Sequence, residues 1–186
     1  MLQRYLTQER RLLLSRLDGL SERDVRWPGV PTGTNLLGVV KHVASMELGY
    51  FGEVFDRPTG IALPWLAEDA EPDADLWATA EESREGVVAL HHAAAAHTDA
   101  TIAALDLDAP GAVPWWPPER REVSLQQVMV HVLAEIAHHA GHADVLRELL
   151  DGRAGDDRGN LTDRTPAGWA AHRRRLEAVA EAAAGS

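Results

Sequence analysis

The chain has 186 residues and a mass of 20.3 kDa, with 18 Lys and Arg against 29 Asp and Glu, a formal net charge of −11 and a pI near 5.2. That acidic excess argues against a phosphate-rich partner, and a domain of this size buries roughly 70% of its unfolded surface, enough to fold unaided. With no cysteine, a disulfide scaffold, a thiolate zinc site, an Fe–S cluster and a Cys nucleophile are excluded. Any metal must be held by His, Asp or Glu, and nine histidines are present.

Leu2, Leu6, Leu13, Leu17 and Leu20 recur at spacings that predict a first helix, ended at Asp18-Gly19. Met1 to Leu20 is Arg-rich and apolar, but Glu9 and Asp18 interrupt it and no small-residue cleavage site follows, so it reads as part of the fold. Trp27 to Gly33 is too rich in Pro and Gly to stay helical. Thr34 or Asn35 then caps a second helix that passes through His42 and Tyr50 to about Phe55, where Asp56-Arg57-Pro58 stops it.

After a crossing loop from Gly60 to Pro72, the spacing of Trp77, Ala80, Arg84, Val88, His91, Ala95, Thr98, Ile102 and Leu105 predicts a long third helix of about 45 Å. Asp108 to Pro118 is a stiff aromatic loop with Trp115-Trp116. Ser124 and Gln127 form a capping-box pattern that opens a fourth helix running to Leu150 and stopped at Asp151-Gly152. Thr165-Pro166 opens a last helix with Trp169, His172, Leu176 and Val179 on one side. No segment reads as a β-hairpin, so the expected fold is all-α: four main helices and a C-terminal one in a single domain over residues 1–186. No apolar run reaches about 18 residues, so no membrane span is expected, and without an export signal the cytoplasm is the expected location.

In the fourth helix Leu125, Val128, Val132, Glu135, His139, His142, Leu146 and Leu149 form a heptad stripe whose three central members are polar. A carboxylate on an interior stripe must be paired, protonated, hydrated or bound to a cation. Glu135 and His139, four residues apart, lie on one face at chelating distance, and His42, on a stripe with Val39, Met46 and Gly49, is the best third ligand from another helix. Such a set suits Zn²⁺, Ni²⁺ or Fe²⁺ with positions open to water or substrate. The same residues are also compatible with a buried ion pair or a water-lined groove. His142 is a weaker ligand candidate or a substrate contact. His131 and His138 fall off the stripe, at its edge or in solvent. Arg147 is a candidate for an anionic substrate group or a surface partner of Asp144 or Asp151, and Trp115 and Trp116 either roof a ligand pocket or cap the core.

Leu36-Leu37-Gly38-Val39-Val40-Lys41-His42-Val43, Val113-Pro114-Trp115-Trp116 and, above all, Glu135-Ile136-Ala137-His138-His139-Ala140-Gly141-His142-Ala143-Asp144-Val145-Leu146-Arg147-Glu148 resemble the DinB-like metal-binding four-helix bundles. That superfamily includes bacterial thiol S-transferases and mycothiol-dependent maleylpyruvate isomerases, and the resemblance covers nearly the whole chain. It implies a DinB-like bundle with long crossing loops, a divalent metal on His42, Glu135 and His139, and a thiol cosubstrate, mycothiol in the actinobacterial branch, delivered to a small electrophile by S-transfer or isomerisation. Glu135 departs from the common form, which has a second His at that position. The competing expectation is a non-catalytic metal- or small-ligand-binding protein of stress response. A homodimer is compatible with the long helices, and a DNA-binding role is disfavoured by the charge.

Overall fold

Side-chain caps fix where the helices begin. In the computed structural model, which describes residues 1–153 and 161–184, the Asn35 carboxamide accepts from Gly38 N and opens a helix over Leu36–Phe51. Ser124 and Gln127 close a reciprocal capping box at the start of Leu125–Asp151, which ends at Gly152 in the left-handed conformation. The helices in chain order are α1 (Leu2–Ser15), α2 (Glu22–Arg26), α3 (Leu36–Phe51), α4 (Arg84–Ala104), α5 (Leu125–Asp151) and α6 (Pro166–Ala184). The chain divides into two compact units, Met1–Gly155 and Asp156–Ser186. The second carries α6, in which no residue is buried. Among the described residues no helix is long and apolar enough to cross a membrane.

In the first unit α1 packs on α5, α5 on α3, α3 on α4 and α4 on α1. Leu6 and Leu13, Leu37 and Val40, Val87, and Val132 and Ile136 meet in the core between them. The expected third helix starts later than its apolar spacing suggested. Ser83 caps it and accepts from Gly86 N. Upstream backbone is claimed by side chains: Lys41 Nζ binds the carbonyls of Ala74 and Trp77, Arg26 those of Ala78, Thr79 and Glu82, and the Glu82 carboxylate accepts from Thr79 N. Trp77 therefore lies in the crossing loop. The short α2, capped by Ser21, lies in a stretch where no helix was expected.

A two-stranded antiparallel ribbon also departs from expectation: β1 (Pro110–Ala112) pairs with β2 (Glu122–Ser124), with Gly111 opposite Val123. Three-residue strands containing Pro and Gly show no alternation to read. Gly111 is required sterically, since a Cβ there would stand 2.7 Å from the Phe55 ring and 2.9 Å from Val54. The ribbon's connection carries Trp115 and Trp116 and is held by Val113 N on Arg121 O and by Arg121 Nε on Trp116 O.

His91 on α4 is 2% exposed, and among the described residues neither of its ring nitrogens has a hydrogen-bond partner. Burial, then the charges of Arg10 and His92, lower its pKa to about 4 from 6.5. The unfolded chain therefore binds the proton first. The stability that neutral His91 confers is complete above pH 6.5 and is lost as the pH falls toward 4, up to about 3 kcal/mol. Urea unfolding of a His91→Leu variant should lose less stability between pH 7.5 and 4.5 than the parent, by about 2 kcal/mol. His139, shifted in the same sense, leaves a residual slope in both.

Candidate functional site

The polar stripe of α5 does not run along the core as a strict heptad would. An α-helix turns every 3.6 residues, so a 3.5-residue pattern drifts around a straight helix by about 20° per heptad. The buried face begins with Leu125, Val128 and Val132 but continues through Ile136, Ala140 and Ala143, rejoining the stripe at Leu146 beside Arg147 and leaving Leu149 64% exposed. His139 consequently stands at the edge of the core with 16% of its side chain exposed, Glu135 is 42% exposed, and His142 and His138 are exposed. The expectation of three inward polar groups is corrected to one imidazole at the core edge beside a half-exposed carboxylate.

His42 of α3 meets His139 there, their ring centroids 4.7 Å apart in an edge contact. His42 Nδ1 lies 2.6 Å from Asp75 Oδ2. Asp75 is held below the usual carboxylate range, first by that hydrogen bond, so it is the acceptor and Nδ1–H the donor. In the neutral ring the lone pair then sits on Nε2. Burial, followed by the neighbouring His42, His142 and His138, lowers the His139 pKa to about 4 from 6.5. His139 is therefore neutral at physiological pH. Glu135 Oε2 is 3.9 Å from His139 Nε2.

Asp75 comes from the crossing loop, and two residues of α3 bring the loop to it. Gly38 leaves room for the strand of loop above it, where a Cβ would stand 1.8 Å from Leu76 O. Lys41, buried, ties the loop down through Ala74 O, Trp77 O and the Glu82 carboxylate. Its ammonium also stands over the Trp65 ring, whose Nε1 donates to Ser45 Oγ.

A second cluster lies farther along the same two helices. Tyr50 Oη accepts from Trp116 Nε1 at 3.1 Å and Trp115 Nε1 at 3.4 Å, and is 2.9 Å from His131 Nε2. With both acceptor positions used, the hydroxyl proton points to His131 Nε2. Eight residues separate His42 from Tyr50 and eight separate His131 from His139. The two contacts therefore set α3 and α5 antiparallel, with Met46 and Glu135 at the midpoint between them.

The family model of the mycothiol S-transferases matches residues 1–152, up to the end of α5. The chain belongs to that family. The family is a DinB-like one, as the motifs of the second and fourth predicted helices implied. Comparison with curated proteins and with solved structures returns no match.

In this mycothiol S-transferase family member His139 meets His42 on one side and has Glu135 3.9 Å away on its own helix, and Trp115 and Trp116 lie about two helical turns away, against Tyr50. Arg147 is buried, bound to Asp151 and to the carbonyls of Arg16 and Asp18, while Asp144 pairs with Arg16. Among the described residues no three His, Asp or Glu side chains stand together in an arrangement that holds a metal ion. Asp75, Lys41, Tyr50 and His131 were missed by sequence reasoning. For His131 a signal existed: it lies one helical turn before Glu135.

Proposed function

We propose that this protein is a mycothiol-dependent S-transferase that joins the cosubstrate's thiol to a small electrophile, with the reacting sulfur held at His42 and His139. The observation that carries the reading is the meeting of these two imidazoles across α3 and α5, one backed by a carboxylate and the other kept neutral, in a chain of this family. The donors suit a divalent ion by type: a carboxylate behind a ligating imidazole is the usual outer-shell arrangement, and a neutral imidazole binds metal without first losing a proton. His42, His139 and Glu135 would hold it, and Zn²⁺, Ni²⁺ or Fe²⁺ would stabilise a thiolate at neutral pH. Asp75 fixes the His42 ring and keeps its Nε2 lone pair available. Trp115 and Trp116 offer flat faces for the sugar portion of the thiol.

The packing of α1, α3, α4 and α5 supports a DinB-like four-helix bundle as the scaffold. A thiol-dependent enzyme of this kind works in the cytoplasm, on small molecules, without nucleic acid. Elemental analysis of untagged protein, with Glu135→Ala in parallel, tests the metal reading: about one divalent ion per chain is expected in the parent and markedly less in the variant. A parent that stays metal-free after incubation with Zn²⁺, Ni²⁺ and Fe²⁺ overturns it and favours the non-catalytic binding protein.

A further inference from the structure

His138 and His142 lie outside the His42–His139 site, on the outer side of α5, roughly opposite the buried Ile136, Ala140 and Ala143. They are four residues apart, about one helical turn, and no other two of the nine histidines share that spacing. The spacing brings them into contact, with ring centroids 4.2 Å apart at an interplanar angle of 74°. Both residues are exposed, and among the described residues neither makes a hydrogen bond or an ion pair.

The approach to the pair from solvent is open. Ala137 and Gly141 beside it are small and exposed, and a Cβ on Gly141 would meet nothing within 4 Å. The helix beneath is capped at both ends and packed on α1 and α3, so the two backbone positions are ordered before any ligand arrives. Two imidazoles on successive turns form a chelate, since rotation of the side chains brings one nitrogen of each to about 2.0–2.1 Å from a single ion. Nitrogen donors favour Cu²⁺ over Ni²⁺ and Zn²⁺ and leave Mg²⁺ and Ca²⁺, which take oxygen, in solvent. Glu135, three residues before His138, and the net charge of −11 favour a cation on this face.

We propose that His138 and His142 form a second metal site, solvent-facing and exchangeable, for a borderline divalent cation. It needs neither the metal reading of His42, Glu135 and His139 nor thiol chemistry. Water fills the remaining coordination positions, so the site loads while the ion is supplied and empties on desalting. It adds nothing to the metal that the purified protein retains. Each ring of the pair stands 5.7 Å from the His139 ring, centroid to centroid, so a test must take the inner pair away.

Calorimetric titration of the untagged full chain carrying His42→Ala with His139→Ala, at pH 7.5, does so. This protein should take up one Cu²⁺ per chain, bind Ni²⁺ at least about 10-fold more weakly, and take up no Mg²⁺. Adding His138→Gln or His142→Gln, both changes of exposed side chains, should weaken Cu²⁺ by about 10²-fold, because the remaining donor loses the effective concentration of its neighbour. Electron paramagnetic resonance of the Cu²⁺ complex should show two imidazole nitrogens before either substitution and one after it. No uptake, or a loss under about threefold on removing either histidine, overturns the proposal. Uptake by the parent but not by the variant lacking His42 and His139 also overturns it and assigns the ion to the inner pair. Suppose instead that the parent takes up a single ion, kept without His42 and His139 but lost with His138→Gln. That result supports the outer site and sinks the metal reading of the inner one.

Discussion

His139→Ala and His42→Ala should each lower thiol transfer by about 10²- to 10³-fold, because each removes half of the pair proposed to hold the reacting sulfur. The two act as a unit, so the double variant should be little worse than either alone, which a steady-state comparison of kcat/KM will show. Asp75→Ala should fall between parent and single variants, at about 10- to 100-fold, since it touches only the orientation of His42. None of these should melt the helices. Both imidazoles lie at the core edge, His42 with 25% and His139 with 16% of the side chain exposed. At neutral pH His139 is uncharged, so its removal costs only packing at the edge of the core. Unchanged far-UV circular dichroism and a cooperative melt well above the assay temperature, alongside the rate loss, separate a site defect from a folding defect. A His139→Ala protein as active as the parent would remove the imidazole pair from the chemistry.

What could be read in the chain follows from how local each signal is. Asn35, Ser83, Ser124 and Gly152 mark helix ends through groups within four residues of themselves, and three of these, Asn35, Ser124 and Gly152, were legible in the sequence. His42 and His139 were legible because each sits on a helix stripe that interrupts an apolar pattern. Asp75 was not: it is 33 residues from its imidazole, on a loop whose path is set by a buried lysine and by the missing side chain of Gly38, neither of which leaves a periodic trace. The Tyr50–His131 contact was lost for a different reason. His131 stands part-buried at the stripe's edge, as its place off the stripe implied, and an edge position names no partner, here Tyr50, 81 residues earlier; the stripe erred at Glu135, because a straight helix of 3.6 residues per turn carries the core face through Ile136, Ala140 and Ala143.

Glu47→Ala should destabilise the fold by about 3–5 kcal/mol, a large share of the roughly 5–15 kcal/mol that holds a domain together. Arg10 on α1 and Glu47 on α3 are 4% and 1% exposed. Arg10 donates from Nε to both Glu47 oxygens, at 2.9 and 3.1 Å, and from a terminal nitrogen at 2.7 Å, and Thr98 of α4 donates to the same carboxylate. Burial alone would lower the Arg10 pKa, but the hydrogen bonds and charge of Glu47 outweigh it and raise it. Without Glu47 the guanidinium keeps only Asp99, at 3.3 Å and half-exposed, so a buried charge is left with weak compensation. Replacing both partners by apolar residues of similar size, Arg10→Met with Glu47→Leu, removes the charge and its cost together, and urea unfolding should place that variant within about 1 kcal/mol of the parent. A loss under about 1 kcal/mol for Glu47→Ala alone would mean that water already reaches the pair. The ion pair joins α1, α3 and α4 at a point five residues along α3 from His42, on a different side of the helix. If its role is to fix the rotation of α3 rather than to hold the fold together, the apolar double variant will be stable yet slower. If stability and thiol transfer both survive, packing alone sets where His42 stands.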